Sequence, residues 1–399
     1  MRVLHLIDGS SPQATPVTLA LIQASLRKLG QARQHLLIMG GTGLKRQARR
    51  VGITNCTTLS VPGQHALLGG RPVRYALRRL HADDAGSDGA GGFAPDLIHC
   101  WSIQSFTLAA LLFRGVPRVL SLVIEPSPRA VHWLRFCVPG AGGRSLVLPV
   151  STTIRRALLT GGVPEAAVQV LRPGIDMAMI DPARRRAIRQ QWEADDQVRI
   201  AVLLDDSPDG ADAIAASMAT GLADETCGPR GHSIRLLVHP DQRNRLRALR
   251  TMRGIAREHR LICDQRVLRP WEILPACDLA LSMGPRAGGL SLLWAMAAGV
   301  PIVGEATYAV SEIIEDHHSA LLVRPTQPKW MARRINELVA DDQLNWKLRD
   351  TARHEAYSFF SRSQYTRSLL TVYEQLLAGG AVQVPALEAT GGLRFAGRA

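Results

Sequence analysis

The chain has 399 residues, which is enough for two domains of ordinary size or one large one. Its composition, with 46% hydrophobic residues, 21% charged residues and a mean hydropathy near zero, excludes a disordered chain and a membrane-spanning one. The formal net charge is +14, and only four of the 48 basic residues are lysines, so 44 are arginines. Guanidinium groups bind phosphate oxygens in pairs, so the surplus indicates either a polyanionic partner or arginine-rich codon usage without a functional meaning. Aromatic residues make up only 5%, and no basic patch carries interleaved aromatics, so no nucleic-acid partner is predicted.

Cysteine usage and the apolar runs indicate the compartment. The six cysteines are scattered, without a Cys-x-x-Cys pair or a metal-like Cys/His spacing, so we expect reduced core thiols and no metal site. The N-terminal apolar run stops at Asp8, which is too early for a secretory signal. No apolar stretch approaches the roughly 18 residues of a transmembrane helix. These features predict a cytoplasmic protein.

The first part of the chain alternates strand and helix patterns. Apolar runs predict strands at residues 3–7, 34–39, 97–100, 118–123 and 145–150, and helical periodicity predicts helices at residues 17–29 and 107–113. Residues 83–92 are rich in Gly, Asp and Ala and are interpreted as a flexible insertion. Strands that are apolar throughout and alternate with helices predict a parallel sheet that is covered on both faces.

The second part repeats this pattern after Pro182. Strands are predicted at residues 199–204, 234–238, 261–263, 279–282, 301–304 and 320–323, the longest helix at residues 243–258, and a helical region from 328 to 377. The fold class is therefore α/β, with two Rossmann-like doubly wound domains that face each other across a cleft and are joined near residues 177–190. The predicted domains are residues 1–180 and 181–356, with a helix at 357–378 that crosses back to the first domain and a disordered tail at 379–399. Ligands of such sheets bind beyond the carboxyl ends of the strands.

One segment combines glycines with a buried helix pattern. Residues 288–303 read GGLSLLWAMAAGVPIV, and Gly288, Gly289 and Ser291 stand where a loop leads into a helix. Free backbone N–H groups and the positive end of the helix dipole at that place suit an anionic diphosphate. The alternative is that the paired glycines only let the helix approach the sheet closely.

This segment resembles the donor-site helix of the GT-B glycosyltransferases, specifically the retaining family 4, or glycosyl transferases group 1. Stretches at residues 150–151, 162–164, 170–176, 275–279, 311–314, 321–323 and 359–373 are similar to other signatures of that family, so the resemblance runs from residue 1 to about 378. It implies transfer of a sugar from a nucleotide-sugar to a carbohydrate or lipid-linked acceptor, with retention and without a metal or other cofactor. The donor-binding residues that it indicates are Arg286, Gly288, Gly289, Leu290, Ser291, Trp294 and Glu312. Glu312 is equally interpreted as a capping carboxylate.

The family pattern is broken on the donor side. Arg286 and Trp294 occupy the positions of two family glutamates, one at the transferred sugar and one at the nucleotide ribose. The loop at residues 204–210 has Asp209 in place of the family's diphosphate-binding lysine, and it contains no arginine. Like charges about 4 Å apart repel by roughly 4 kcal/mol at an effective dielectric constant of 20, so Asp205 and Asp209 would oppose a diphosphate.

The family pattern is also broken at other positions, so that the departures together cover the donor sugar, the ribose, the phosphate and the acceptor side. Gln13 and Ala14 replace a glycine pair, Trp101 and Val123 stand where histidines are common, and residues 308–309, Tyr-Ala, replace another glycine pair. No catalytic residue is assigned. The residues expected to line the cleft are Gly9, Ser10, Trp101, Arg172, Asp205 and Asp209.

Two functional hypotheses remain open at this point. In the first, the chain is a divergent glycosyltransferase in which Arg286 supplies positive charge and Trp294 stacks on a base or sugar. In the second, it is a non-catalytic GT-B relative that acts as a binding or regulatory protein. A pairing of Arg286 with Asp205 or Asp209 across an emptied site would favour the second hypothesis.

Three arginine clusters lie away from the expected diphosphate contacts, at residues 45–50, 71–79 and 184–189. The second has the pattern of a basic amphipathic helix, which suits either the surface of an anionic membrane or an ordinary solvated helix face. With the membrane interpretation, the protein would lie peripherally on the inner membrane face.

Overall fold

The structure is a computed structural model that describes residues 1–11, 13–28, 33–40, 42–59, 94–138, 144–175, 182–195, 198–204, 233–238, 261–282, 290–324, 328–379 and 382–384. The chain divides into two compact units. The first contains Met1–Gly174 and Arg362–Leu387, and the second contains Ile175–Ser361.

The first unit is built on a six-stranded sheet in the order β3-β2-β1-β4-β5-β6, and every pairing is parallel. Its strands are β1 (Arg2–Asp8), β2 (Arg33–Met39), β3 (Cys56–Leu59), β4 (Leu97–Cys100), β5 (Arg118–Leu122) and β6 (Ser145–Pro149). Its helices are α1 (Pro16–Lys28), α2 (Thr42–Arg50), α3 (Ile103–Leu112), α4 (Pro128–Cys137) and α5 (Thr152–Thr160). The central strand β4 and the edge strand β6 are both buried along their whole length, as expected of a parallel sheet with helices on both faces.

Local polar residues fix where the helices of this unit begin. Ser102 forms a capping box with Ser105 at the start of α3, and the side chains of Ser127 and Ser151 accept N–H groups in the first turns of α4 and α5. These caps start each helix directly after a strand-end loop. They therefore determine which residues face the carboxyl edge of the sheet.

The second unit repeats the design, with the strand order β12-β11-β10-β7-β8-β9 and parallel pairing throughout. Its strands are β7 (Val198–Leu203), β8 (Ser233–Val238), β9 (Leu261–Cys263), β10 (Leu279–Ser282), β11 (Ile302–Glu305) and β12 (Leu321–Val323). Its helices are α6 (Pro182–Gln191), α7 (Pro270–Ile273), α8 (Leu290–Ala297), α9 (Tyr308–Ser311), α10 (Pro328–Ala340) and α11 (Asp342–Phe359). One face of this sheet shares a buried core with α10 and α11 that includes Leu203, Leu281, Ile335 and Leu348.

The last helix of the described chain, α12 (Arg362–Ala378), belongs to the first unit. It contacts α1, and its Tyr365, Leu369 and Tyr373 are buried there. The adjoining residues 382–384 are held by the amide of Gln169, which donates to the Val382 carbonyl and accepts from the Val384 N–H at 2.6 Å. These bonds join residues 382–384 to the first unit, and the disordered tail expected at 379–399 stays a prediction.

The sequence-based fold class, a pair of doubly wound α/β domains, is confirmed by the two sheets. All of the predicted strands are present within one or two residues of their predicted bounds, whereas α3 begins at Ile103 instead of residue 107. The predicted helix at 243–258, the insertion at 83–92 and the basic helix at 71–79 lie outside the described residues. The division between the units falls at Gly174 and Ile175, near the predicted boundary at residue 180.

The described cysteines are all free, and Cys100 and Cys277 are buried. Burial raises the pKa of both thiols, which keeps them protonated as core residues. Among the helices of the described ranges, none combines the length and the apolar character that a membrane span needs.

Candidate functional site

The carboxyl ends of β7, β10 and β11 form the central edge of the second sheet. The Leu204 N–H, just past β7, donates to the Leu281 carbonyl at 2.8 Å, which holds the ends of β7 and β10 side by side. The loops that follow these two strands carry Asp205, Asp209, Arg286, Gly288 and Gly289, and these five candidates lie outside the described residues. Their roles stay predictions.

Helix α8 follows the loop after β10 and is buried on every described side. Ser291 is 8% exposed and Trp294 is 4% exposed. The Trp294 ring packs on Trp271, with 5.3 Å between ring centroids and 44° between their planes. The structure thus shows a core role for Trp294, and its expected stacking on a base or sugar stays a prediction. For Leu290, only the backbone position at the start of α8 is described.

The other end of α8 is fixed by a left-handed turn. Gly299 has φ = +62°, and N–H groups of Gly299 and Val300 donate to the carbonyls of Met296 and Ala295, both at 2.9 Å. The Nε of Arg349 then donates to the Gly299 carbonyl at 2.6 Å. A glycine is favoured here because residues with a side chain rarely adopt a positive φ. These bonds fix the axis of α8 and so the direction of its N-terminus.

Glu305, at the end of β11, was not identified as a candidate from the sequence, whereas the nearby Tyr308 was named there as a replacement of a family glycine. Glu305 is the last residue of β11 and is 5% exposed, and Tyr308 begins α9 with 74% of its surface exposed. Because β11 pairs with β10 up to Ser282 and Gly304, Glu305 lies at the carboxyl edge of the sheet, next to the end of β10. A carboxylate at the end of an otherwise apolar strand was the signal that could have identified Glu305. Glu312 is half-buried and its N–H closes the last turn of α9 on the Tyr308 carbonyl at 3.1 Å, so the structure shows it as a helix-end residue.

The carboxyl edge of the first sheet contains a turn that begins with Asp8. Its Oδ1 accepts from the N–H of Ser10 at 2.9 Å and from the Oγ of Ser10 at 2.7 Å, while Oδ2 is buried with no hydrogen-bond partner within the described part of the chain. Gly9 allows this turn to pass close to the next one, since a Cβ there would lie 2.5 Å from the carbonyl oxygen of Gly40. Gly9 and Ser10 thus lie at the predicted edge.

Gln13 closes the loop that carries the family's glycine pair. Its Oε1 accepts from the N–H groups of Val123 and Ile124, both at 3.0 Å, and its Nε2 donates to the Ile124 carbonyl at 2.7 Å. Gln13 is 5% exposed, so its side chain fills the space between the loops after β1 and β5. A glycine would leave this space and these three backbone groups open.

Trp101 lies in the core of the first unit, and the structure does not place it in a cleft. It is fully buried, and its Nε1 donates to Nδ1 of His5 at 3.2 Å. The ring of His99 stacks on it with 4.2 Å between centroids, and His99 in turn bonds Tyr373 at 2.5 Å and Ser121 at 2.8 Å. Burial lowers the pKa of His5 to about 4 and that of His99 well below its ordinary value, so both imidazoles are neutral here.

Arg172 is partly exposed near the same edge of the first unit. The N–H of the preceding Leu171 donates to the carbonyl of Pro149, the last residue of β6, at 3.0 Å. Arg172 therefore lies close to the carboxyl end of β6, and its expected place in the cleft stays a prediction. No cluster of three metal-ligating side chains occurs within the described ranges, so the described residues give no candidate metal centre.

Comparisons with known proteins show a family match over part of the chain and a fold match over nearly all of it. Residues 227–356 match the family model of glycosyl transferases group 1. HepE of Anabaena, solved in complex with UDP-glucose, superposes over 94% of this chain and 100% of its own, with a TM-score of 0.73 and 17% identity.

The chain has the GT-B glycosyltransferase fold, and its second unit carries the group 1 segment. Two curated relatives match more locally. Spore coat protein SA of Bacillus subtilis (strain 168) is 34% identical over 82 residues, 20% of this chain and 22% of its own. N-acetyl-alpha-D-glucosaminyl L-malate synthase of Bacillus anthracis is 28% identical over 107 residues, 27% of this chain and 28% of its own. The chain thus matches between a fifth and a third of the length of these two relatives.

Proposed function

We propose that the chain is a divergent glycosyltransferase that transfers a sugar from a nucleotide-sugar donor, with retention at the anomeric carbon, as the resemblance to family 4 implies. The observation that carries the proposal is helix α8, which lies inside the segment matched by the group 1 model and starts next to the central carboxyl edge of the second sheet. The solved relative HepE, in complex with UDP-glucose, supports a nucleotide-sugar as the ligand class.

The chemistry required of α8 is electrostatic. The first N–H groups of a helix have no partner within the helix, and its positive end stabilises a nearby anion by about 0.3–1 kcal/mol at an exposed site and more in a partly buried one. A departing nucleoside diphosphate gains negative charge as the glycosidic bond breaks, so this contact favours the transition state. Arg286 would add a cation in place of the family's glutamate. No cofactor is required in this scheme.

The acceptor would meet the carboxyl edge of the first sheet, where Gly9 and Ser10 form a polar turn. Asp8 supplies a carboxylate within this turn, and its Oδ2 has no hydrogen-bond partner in the described structure. Such a turn suits the hydroxyl groups of a carbohydrate or of a lipid-linked saccharide. The catalytic residue is left unassigned, because the central loops of the second unit lie outside the described residues.

Helix α4 offers a described surface for an anionic membrane. Trp133 and Phe136 are 60% and 67% exposed, and Arg129 and Arg135 lie on the same ten-residue helix. Exposed aromatics flanked by arginines suit an interface with anionic lipid, so we extend the proposal to a cytoplasmic protein bound peripherally to the inner membrane face. Sedimentation with phosphatidylglycerol vesicles at low salt should be lost in Trp133→Ala/Phe136→Ala and kept in Trp346→Ala, which removes another exposed tryptophan. Equal loss in both variants, or no binding by the parent protein, would contradict this part.

A non-catalytic binding or regulatory role is the second candidate, and two observations favour it. Gln13 fills the loop space where the family has glycines, and Trp294 is buried against Trp271 where the family has a ribose-binding glutamate. The second feature removes a contact that the family uses for its donor, and the first fills a loop that the family keeps free of side chains. The two candidates differ in whether a nucleotide-sugar binds and whether it is consumed.

A ligand screen separates these candidates. Thermal unfolding is measured with UDP-, GDP- and ADP-sugars, since a ligand at 100 times its dissociation constant adds about 2.7 kcal/mol of stability. A shift with one nucleotide class, followed by release of that nucleoside diphosphate in the presence of acceptor extracts, supports the enzyme. Absence of any shift contradicts it and supports the non-catalytic role.

The charge at position 286 provides a directed test. We expect Arg286→Glu to weaken binding of the UDP moiety if Arg286 contacts the diphosphate, and Arg367→Glu, an exposed charge change on α12, to leave it unchanged. Tighter binding in Arg286→Glu would instead show that the native site has lost its donor contacts. That outcome would favour the non-catalytic role.

A further inference from the structure

A second concave site lies at the opposite edge of the second sheet. It is a cavity of about 460 Å³ formed at the amino ends of the strands, where Arg199 is the second residue of β7, Asp278 precedes β10 and Pro301 precedes β11. The turn after α8 and the first half of α11 complete its wall. Because the sheet is parallel, its amino and carboxyl ends lie at opposite edges, so this cavity is separate from the proposed donor site.

The floor of the cavity is the carboxylate of Asp278, and both of its oxygens accept hydrogen bonds within the protein. Oδ1 of Asp278 accepts from Arg185 at 2.6 Å, and its Oδ2 accepts from Arg189 at 2.8 Å and from the Ile200 N–H at 2.9 Å. Arg185 also donates to the carbonyls of Pro275 and Cys277. This arrangement positions α6 on the sheet and uses the negative charge of Asp278 within the protein.

Two further guanidinium groups at the cavity, those of Arg199 and Arg349, have little negative charge close to them. Arg199 lies 3.9 Å from Asp278 Oδ1, which is beyond hydrogen-bond distance, and its side chain is 37% exposed. Arg349 donates its Nε to the Gly299 carbonyl, and no carboxylate lies within salt-bridge distance of it among the described residues. Three arginines, Arg185, Arg199 and Arg349, thus line one cavity together with two aspartates, Asp278 and Asp342. Arg189, which does not line the cavity, pairs with Asp278 as well. The local excess of positive charge is one that a bound anion would neutralise.

The lowered pKa of Arg349 is consistent with this excess of positive charge. Partial burial lowers the pKa of Arg349, and the neighbouring charges of Arg185 and Arg353 lower it further, against an opposing effect of Asp278. Lowering of this kind means that the charged form of Arg349 is disfavoured by its surroundings. An anion close to these guanidinium groups would reverse that effect.

The rest of the wall is apolar and supplies a place for an organic group. Val300, Pro301 and Val339 line it, and the indole of Trp346, 67% exposed, stands at the rim. A cavity of about 460 Å³ is within the range of pockets that hold small metabolites. The site therefore has arginine guanidinium groups on one side and an aromatic and aliphatic surface on the other.

We propose that this cavity binds a small soluble phosphomonoester, with its phosphoryl group between Arg199 and Arg349 and its carbon skeleton against Trp346. The two guanidinium groups provide charge-assisted hydrogen bonds to phosphoryl oxygens, while Asp278 and Arg185 hold the floor. The inference does not depend on the proposed glycosyltransferase activity, because no residue of the cavity belongs to the donor site.

Calorimetric titration of the full chain with inorganic phosphate and with phenyl phosphate tests the proposal. We expect both to bind, phenyl phosphate more tightly because its ring can contact Trp346. Arg349→Gln and Arg199→Gln should each weaken both ligands roughly tenfold, which is the usual effect of losing one charge-assisted hydrogen bond. Trp346→Ala should remove the advantage of phenyl phosphate while inorganic phosphate binding is kept.

The control is Lys347→Gln, which removes one positive charge from the same helix at a position that does not line the cavity. Arg349→Lys guards against a folding artefact, because it keeps the charge but not the planar fork and should retain part of the affinity. Binding that is unaffected by the two arginine variants, or weakened equally by Lys347→Gln, overturns the proposal. Displacement of phenyl phosphate by UDP also overturns it, because the anion would then occupy the donor site. Absence of binding by either phosphate overturns it directly.

Discussion

Gln13 gives the sharpest test of the reasoning about the first unit, because one side-chain amide satisfies three backbone groups of the loop after β5. In Gln13→Ala, the N–H groups of Val123 and Ile124 lose their acceptor and the Ile124 carbonyl loses its donor. At about 1 kcal/mol of net stability per hydrogen bond, the expected loss is about 3 kcal/mol. Val123 is 1% exposed, so water cannot easily replace the amide at that residue.

The loss is measured as a change in the unfolding of the first unit, followed by circular dichroism in urea and on heating. For a unit of this size, each kcal/mol shifts the melting temperature by about 2–4 °C, so a decrease of about 6–12 °C is expected. Gln23→Ala is the matched control, since it deletes the same amide from a half-buried position on α1. A loss for Gln13→Ala below about 1 kcal/mol, or one no larger than that of the control, would refute the role of Gln13 as the loop's main support.

Three further predictions concern buried groups. Asp278→Asn should lower the free energy of unfolding by about 3–5 kcal/mol, because it leaves buried arginine charge uncompensated. The control Asp350→Asn, at an exposed helix position, should lower it by less than about 0.5 kcal/mol, and both values are measured by urea unfolding. The pKa of His5 is lowered from 6.5 to about 4 on folding, so the unfolded chain binds the proton more tightly and about 3 kcal/mol of stability should be lost as the pH falls from about 6.5 to about 4. A pH titration of stability checks this, and an unchanged slope in a His5→Gln variant would contradict it. Gly9→Ala should destabilise by about 1–3 kcal/mol through its clash with a backbone carbonyl, whereas Gly43→Ala, with open space around it in α2, should stabilise slightly in the same thermal assay.

Strands buried along their whole length were predictable because their apolar runs have no other interpretation. Residues 97–100 and 279–282, which are buried throughout, form strands at the predicted bounds. The edge strand β3 was missed, since its sequence Cys-Thr-Thr-Leu is only half-buried and lacks a continuous apolar run. Helix α3 begins earlier than its apolar pattern because the capping box of Ser102 and Ser105 sets its start.

Helix α8 was predictable from the sequence because its apolar residues are consecutive and follow a pair of glycines. The location of Trp101 was not predictable, because its buried environment comes from His5, 96 positions earlier, and from a stacked histidine on the same strand. The closing role of Gln13 depends on a loop 110 positions away. The motif positions of Trp101 and Gln13 predicted the strands that these residues follow. Whether each side chain lies in the core depends on contacts with residues that are distant in the sequence.

The return of α12 to the first unit has a consequence for synthesis of the chain. Tyr373 supplies the hydroxyl group that bonds Nδ1 of His99 at 2.5 Å, and it does so from the last described helix. During translation, Met1–Gly174 leaves the ribosome long before this helix, and Ile175–Ser361 is complete in the meantime. The second unit can therefore finish folding while the first still exposes the hydrophobic surface that α12 covers. We therefore expect the first unit to complete its packing only after α12 has been synthesised.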